Sequence, residues 1–392
     1  MIVDGFKFSG LSAGIKKDGQ KDLGLIYSDA SLSSAGVFTA NKIKAAPVLI
    51  DMERIKKGRS RAVLVNSGNA NACTGERGRE DVIETSGMTA EELGIGADEV
   101  LVSSTGVIGR LLPVGKIKSS IPLLVSSLKR ESLDDFAEAI MTTDSFPKTA
   151  FATKELEGGK ITVAGIAKGA GMIAPDMATM LAFILTDADV GPELLNRCLK
   201  SAVDESFNSI TVDGDMSTND TVLALASGKS GVKITEKSES YLIFLDLMKD
   251  VMIKLAKMIV KDGEGATKLI EINVEGAISA EEAKKAALFI ANSSLVKTAF
   301  YGEDANWGRI ASALGGAGVE MSVDKLDIFF GDVQLVENGL YKGSEAEEKA
   351  TEIMKHDEPA VTIDLKMGAG RAIVWTCDLT HDYIRINAEY RS

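Results

Sequence analysis

The sequence predicts a mixed chain, α/β or α+β, with layered sheets, and three observations predict it. Short unbroken apolar runs at 62–65, 100–102 and 180–185 have the length of buried strands. Longer stretches with helical spacing lie among them, the clearest carrying Leu245, Met248, Met252, Leu255 and Ile259. The two kinds mix along the whole length, without an internal repeat or a low-complexity linker, which leaves layered architectures.

Composition narrows the function classes. A length of 392 residues suits two or three structural units or one large multilayer domain. Hydrophobic content of 45% and charged content of 26% are ordinary for a globular protein. A net charge of −13 and the lack of a basic run with interleaved aromatics argue against a nucleic-acid surface. Met1-Ile-Val-Asp-Gly lacks the basic start and apolar segment of a signal peptide, so none is expected. No membrane span is expected either, because the longest candidate, 241–260, is broken by Asp246, Lys249, Asp250, Lys254 and Lys257. Cys73, Cys198 and Cys377 are too scattered for a disulfide framework, which fits a reducing cytoplasm. Of the two histidines, His356 sits in a solvated helix-end pattern and His381 in a turn-like setting. Neither has the company of a zinc site. A catalytic base other than histidine is therefore attractive.

Taken in order, residues 1–65 read as short strands and turns. Gly10-Leu-Ser-Ala-Gly14 reads as a turn, and 24–27 and 36–39 as strands. Strand 62–65 runs into Asn66-Ser-Gly-Asn-Ala-Asn-Ala-Cys-Thr-Gly75. That composition suits a plain loop and equally a loop that holds a small polar ligand. Strand 100–102 ends in Ser103-Ser-Thr-Gly-Val-Ile-Gly109. Small residues let backbone N–H groups point outward as an oxyanion hole requires, and a tight strand–helix turn has the same look. Ser132-Leu-Asp-Asp135 resembles a capping box for a helix with Phe136 and Ile140 on one face. That helix ends at the polar Thr142-Thr-Asp-Ser145, closed by Pro147.

Residues 161–165 form a strand that leads to Lys168-Gly-Ala-Gly-Met-Ile-Ala-Pro, a loop with a lone cation. Thr179 stands where this loop meets the apolar run, preceded by the small Ala178. A hydroxyl there can simply bond a neighbouring backbone group. It can also be a nucleophile that attacks the carbonyl before it and frees its own α-amine. That amine, with a pKa near ~8, then serves as its base. A helix follows over 192–202. The carboxylate-rich 210–221 carries a D-x-D spacing, but no glutamate closes a calcium loop, so it reads as a polar turn. The 245–259 helix, with its methionines in the core, stops at Asp262-Gly-Glu-Gly265. Gly263 is the expected αL cap, and Glu264 lies between glycines. Ser279-Ala-Glu-Glu282 and Ser344-Glu-Ala-Glu347 open capped helices. Between them Tyr301-Gly-Glu-Asp-Ala-Asn-Trp-Gly-Arg309 reads as a polar, aromatic loop. From Val361 the chain alternates, turns at Gly368-Ala-Gly370 and ends strand-like over 383–388.

Six stretches together resemble, in order, the ornithine acetyltransferases of arginine biosynthesis, also called glutamate N-acetyltransferases. They are 66–75, Ser104-Thr-Gly-Val-Ile-Gly109, Lys168-Gly-Ala-Gly-Met-Ile-Ala-Pro with Ala178-Thr-Met-Leu181, Lys261-Asp-Gly-Glu-Gly-Ala-Thr267, 301–308 and Ile386-Asn-Ala-Glu-Tyr-Arg391. The resemblance implies an αββα sandwich of two central sheets covered by helices. It implies cleavage between Ala178 and Thr179 into chains 1–178 and 179–392 that fold together, with Thr179 as nucleophile. It implies an oxyanion hole from Thr105 and Gly106. Lys168, Thr179, Glu264, Asn387, Ser392 and one threonine of the pair Thr142 and Thr143, here taken as Thr142, are the implied substrate contacts. Ser392 stands where many members of the family end in threonine, and either hydroxyl can bond a carboxylate.

The implied reaction moves an acetyl group from N2-acetylornithine to glutamate through an ester on Thr179, by ping-pong kinetics. One amide replaces a near-identical amide, so neither cofactor nor metal is expected. Acetyl-coenzyme A is an alternative donor in some members, although no separate nucleotide-binding motif occurs. The implied setting is the cytoplasm and the implied assembly an α2β2 heterotetramer, without nucleic-acid or membrane partners. Two other readings of the same residues are an N-terminal-threonine amidohydrolase and a non-catalytic amino-acid-binding protein. Acceleration by a second substrate separates the first, and an uncut chain on a denaturing gel marks the second.

Overall fold

Odd and even residues of the early strands face two different cores, and this alternation builds the larger of two principal sheets. The computed structural model describes residues 2–17, 19–174 and 180–389, and the chain divides into two compact units. The first takes in 1–169, 176–208 and 216–256. Its elements are β1 (Lys7–Leu11), β2 (Leu23–Phe38), α1 (Ala46–Arg54), β3 (Arg59–Asn69), α2 (Gly75–Leu93), β4 (Val100–Val107), α3 (Val114–Ser126), α4 (Leu133–Ala139), β5 (Lys148–Leu156), β6 (Gly159–Lys168), β7 (Leu181–Thr186), β8 (Asp189–Val190), α5 (Pro192–Glu205), β9 (Thr221–Ala226), β10 (Lys233–Ile234) and most of α6 (Glu239–Lys261). The sheet order is β4-β3-β2-β9-β7-β6-β5, with β1 also on β2, while β8 and β10 form a small parallel pair.

Ala62 and Leu64 of β3, with Leu23, Leu25, Val100 and Val102, pack onto Ile50 of α1, Val82 of α2 and Ile117 of α3. Their neighbours Val63 and Val65, with Ile26, Leu101, Ile166 and Phe183, face the opposite side and meet Phe136 of α4. Phe136 packs edge-on against Phe183 of β7, with ring centroids 5.4 Å apart, and lies 6.4 Å from Phe8 of β1. One short helix therefore touches strands from both halves of the sheet. β2 makes this geometry. Its pairing with β3 slips between Tyr27 and Leu32, and an irregularity of that kind bends a strand. The first half pairs with β1 and β3, and the second half also with β9. In a flat sheet β4 and β6 would stand about 24 Å apart at ~4.8 Å per strand. Lys168 at the end of β6 nevertheless reaches Thr105 of β4 at 3.4 Å, so the sheet curls on itself.

The second unit holds 170–175, 209–215 and 257–392. Its elements are β11 (Leu269–Ala277), α7 (Ala280–Ala291), α8 (Ser294–Tyr301), α9 (Trp307–Gly316), β12 (Asp327–Phe330), β13 (Val333–Glu337), β14 (Leu340–Tyr341), α10 (Ser344–Met354), β15 (Ala360–Asp364), β16 (Gly370–Cys377) and α11 (His381–Glu389). The sheet runs β14-β13-β12-β15-β11-β16. Ile290, Phe300, Ile310, Leu314, Ala350 and Met354 of α7 to α10 cover it in one core. The mixed class with two principal sheets and helical cover is thus as the sequence indicates. No helix among the described residues is long and apolar enough to cross a membrane.

Several local expectations need correction. The chain over 383–388 is helical, as part of α11, despite its strand-like alternation. Thr380 accepts from the Asp382 backbone at the start of α11, and Arg385 pairs with Asp382 at 2.9 Å, so local bonds favour a helix. Gly10 belongs to β1, not to a turn. β4 continues through Val107, where a turn was expected after 102. The loop expected over 301–309 is confined to 302–306, because Tyr301 ends α8 and Trp307 opens α9. Gly265, not Gly263, adopts the left-handed backbone after α6, at φ 72°. Ser279 caps α7 by accepting from Glu282 at 3.2 Å. Ser132 makes no such bond, and Ser344 is already inside α10, with Gly343 at the cap.

Candidate active site

Lys168 is the last residue of β6, and its ammonium is buried. Its Nζ donates to Thr142 Oγ1 at 2.7 Å and to Thr105 Oγ1 at 3.4 Å, and lies 3.8 Å from Asp144 Oδ2. Of the threonine pair, Thr142 is the one whose hydroxyl meets this cation. Asp144 is the hub. Its Oδ1 accepts from Lys148 Nζ at 2.7 Å and from the Gly169 backbone at 2.6 Å, and its Oδ2 from the Thr142 backbone at 2.9 Å. Burial alone would raise this carboxyl. The ammoniums of Lys168 and Lys148 and the hydrogen bonds outweigh it, and hold Asp144 well below the usual carboxylate range. A further cation faces the cluster: burial lowers the Lys16 ammonium to about 8, Asp22 opposes that, and Lys168 adds to it.

Thr105 and Gly106 sit where the β3–β4 ladder breaks. Ser67 pairs with Thr105 and Gly68 with Gly106, and then the register slips at Asn69. A break of this kind leaves a residue out of pairing. Gly106 has φ 131°, and a Cβ there would stand 2.3 Å from the Gly68 carbonyl carbon, so no other residue fits. The asparagine loop behind it is structural. Asn66 accepts from Ser104 at 2.6 Å and donates to the Asn69 carbonyl at 2.8 Å, while Asn71 donates to the Gly78 carbonyl at 3.0 Å. Asn219 adds two bonds, to the carbonyls of Ala70 at 2.6 Å and Ser104 at 2.8 Å.

Asp220, next in sequence, is fully buried at the start of β9. Its Oδ1 accepts the Met180 N–H at 3.0 Å, just ahead of β7. Burial pushes this carboxyl well above its ordinary range, against the pull of Met180, of the Thr39 and Ser217 hydroxyls and of the Lys168 charge.

In the second unit Glu264 is buried, not exposed as a glutamate between glycines usually is. Its backbone donates to the Ala170 carbonyl at 2.9 Å, and its Oε2 accepts from Asn387 Nδ2 at 2.8 Å. Gly171 leaves room for it, because a Cβ there would come within 2.4 Å of the carboxylate and displace it. Asp213 holds the same segment by accepting from the backbones of Met172 at 2.7 Å and Ile173 at 2.8 Å. Tyr383, four residues before Asn387 on α11, donates to Asp213 at 3.3 Å. Burial and then the Asp213 charge raise the Tyr383 hydroxyl, so it stays a donor.

The first unit therefore groups Lys168, Thr105 and Thr142, and the second groups Glu264 and Asn387. Ala178, Thr179 and Ser392 lie outside the described residues. Sequence reasoning missed Asp144, Lys148, Asp220, Asp213 and Tyr383 as organisers. The available signal was slight: an acid four residues before a lysine, and an acid directly before the apolar run of β9. Among the described residues no cluster of histidine, cysteine or acidic side chains could hold a metal ion, and the D-x-D spacing is a backbone-binding turn.

Residues 7–392 match the ArgJ family. The arginine biosynthesis bifunctional protein ArgJ of Geobacter sulfurreducens is 54% identical over 393 residues, covering 100% of both chains. That of Syntrophotalea carbinolica is 50% identical over 391 residues, covering 100% of this chain and 99% of its own. The crystal structure of arginine biosynthesis bifunctional protein ArgJ from Bacillus halodurans is 42% identical, with a TM-score of 0.52 over 53% of this chain and 98% of that one.

Proposed function

The chain belongs to the ArgJ family and is an acetyltransferase of arginine biosynthesis, and we infer that it moves acetyl from N2-acetylornithine to glutamate through an ester on Thr179. The observation that carries this reading is the buried Lys168 ammonium against Thr105 and Thr142. A cation held in place on hydroxyls can take an α-carboxylate without moving. Ornithine and glutamate share only their α-amino-acid part, so a site serving both must grip that part. Lys168 and Thr142 suit the carboxylate, and Glu264 with Asn387 suits the amine. Ser392, at the chain end, supplies a further hydroxyl for a carboxylate.

In the proposed cycle the Thr179 hydroxyl gives its proton to its own α-amine as its oxygen bonds to the acetyl carbon. The oxyanion is met at Thr105 and Gly106. The amide C–N bond then breaks, the same proton passes to the leaving ornithine amine, and acetyl-Thr179 remains. Glutamate's amine reverses these steps and takes the acetyl group. The chemistry requires a free amine on Thr179, hence cleavage after Ala178 into 1–178 and 179–392. β6 and β7, on either side of that cut, are paired neighbours with Lys168 opposite Leu181, so the pieces would stay in one sheet. A cytoplasmic α2β2 assembly is part of the proposal, as is acetyl-coenzyme A as a second donor.

Thr179→Ala tests the reading. The variant is expected to remain one uncut band without transfer activity. Wild type incubated with N-acetylornithine alone is expected to gain one acetyl group on the piece that begins at Thr179, and to lose it on adding glutamate. Two bands from the variant, or release of acetate unaffected by glutamate, would overturn it.

A further inference from the structure

Lys16, a cation with no role so far, stands beside the oxyanion loop of the first unit. It follows β1, and Asp22 fixes its backbone. That carboxylate is fully buried and accepts the N–H groups of Ala13 at 2.6 Å, Ile15 at 2.5 Å and Lys16 at 2.8 Å. The Asp22 carbonyl also accepts from the Ser67 backbone at 2.9 Å. One residue thus ties the Lys16 segment to the part of β3 that ends at the glycine break. The side chain keeps to that break. A Cβ on Gly68 would stand 3.1 Å from Lys16 Cγ, and Gly68 is the strand partner of Gly106.

Lys16 is half-buried, whereas Lys17 beside it is exposed. Among the described residues the Lys16 ammonium makes one hydrogen bond, to the Lys21 carbonyl at 2.9 Å, so two N–H donors remain. Burial lowers this ammonium to about 8. Asp22 and Asp144 favour its charge, and Lys168 across the cluster opposes it. The other cations nearby are engaged elsewhere. Lys116 of α3 donates to the Gly14 carbonyl, and Lys21 pairs with Asp135 at 2.5 Å and Glu138 at 2.7 Å on α4.

Two cations that repel each other across one site favour a ligand with two carboxylates, since each carboxylate offsets part of the repulsion. Glutamate has two. N-acetylornithine has one, and an ammonium at the far end of its side chain. We propose that Lys16 determines acceptor specificity: its ammonium takes the side-chain carboxylate of glutamate while Lys168 holds the α-carboxylate. The proposal deepens the reading of Lys168 as a carboxylate site and rests on it. A lysine suits both substrates. It is charged when glutamate arrives and can release its proton to water when the ornithine ammonium comes near, where an arginine would stay charged.

The test is the choice between glutamate and glutamine as acceptors of acetyl from N-acetylornithine. The two differ only in the charged or amide end of the side chain. Lys16→Met is expected to lower kcat/KM for glutamate at least about tenfold and for glutamine no more than about threefold. A structural role for Lys16 would weaken both acceptors alike. In wild type the glutamate-to-glutamine ratio of kcat/KM is expected to fall as pH rises through about 8, where Lys16 loses its proton. Taking the ratio cancels the titration of the acceptor's own amine. In Lys16→Arg that fall is expected to vanish, and kcat/KM for N-acetylornithine to drop below wild type at pH 9. A folded Lys16→Met enzyme with an unchanged ratio would overturn the proposal. Should that variant fail to fold, a wild-type ratio that stays level across pH 8 overturns it instead. If Lys168→Met keeps normal activity with both substrates, the carboxylate reading falls and this one with it. An unchanged ratio in Lys16→Met beside a crippled Lys168→Met ends this one alone.

Discussion

Asp144 and Asp220 are both buried carboxyls of the first unit, and the fold treats them in opposite ways. Asp144, ahead of β5, has two ammoniums and two backbone N–H groups around it. Asp220, ahead of β9, has one backbone N–H, two neighbouring hydroxyls and only the more distant Lys168 charge. One is held well below its ordinary range and the other pushed well above it. Burial acts on both alike, so the difference lies in what surrounds them. Asp144 is a finished ion cluster that holds Lys168 in place. Asp220 is held by neutral donors and has no ion pair among the described residues.

The largest effect that can break this comparison is on stability. Asp144→Ala leaves Lys148 and Lys168 buried without their counter-charge, and a loss of about 3–5 kcal/mol is expected in guanidinium unfolding. Asp220→Ala removes an acceptor from neutral donors only, chiefly the Met180 N–H, for which about 1–2 kcal/mol is expected. Equal losses would mean that the two carboxyls do not differ as described.

Next is activity. Lys168→Met is expected to lower kcat/KM for N-acetylornithine and for glutamate together, by at least about thirtyfold, or ~2 kcal/mol. A fall for one substrate only, in steady-state assays of both half-reactions, would take Lys168 off their shared α-carboxylate.

The pH dependence of stability carries opposite signs. The depressed Asp144 contributes stability that is complete above the unfolded value near ~4 and is lost as pH falls through the folded value. The raised Asp220 keeps its proton in the fold after the unfolded chain has released it, so stability declines as pH climbs from about 4. Measured by denaturation in a Thr179→Ala background, where no new amine forms, Asp220→Asn should gain on its parent as pH rises above about 4. Asp144→Asn should lose to its parent as pH rises toward about 4 and then run parallel. A parallel course for Asp220→Asn throughout would show that the carboxyl is not raised.

The smallest effect separates the two threonines. Thr142→Val removes one acceptor of Lys168, the hydroxyl at 2.7 Å, and is expected to cost about 1 kcal/mol, roughly fivefold in kcat/KM, while Thr143→Val stays within about twofold. A larger effect at Thr143 would transfer the role to it.

The apolar runs and helical spacings were enough to place most strands and helices, because burial of a strand or of one helix face depends on the residues in it. They also marked Lys168 as a lone cation and Glu264 as set in a glycine turn, although Lys168 was read as the start of a loop and proves to be the last residue of β6. What they could not supply was the environment of a single acid. Asp144 and Asp220 each lie in a polar stretch that reads as a solvated turn, and their burial comes from β6, β7 and β9 packing across them. Nor could local alternation decide 383–388. Those residues carry strand propensity, yet α11 uses Tyr383 and Asn387, four apart, to reach Asp213 and Glu264. The sequence alone thus determined the class, the order of elements and the chemistry-bearing residue types. The tertiary structure decided which charges are compensated, because desolvation and ion pairing depend on neighbours brought together from distant parts of the chain.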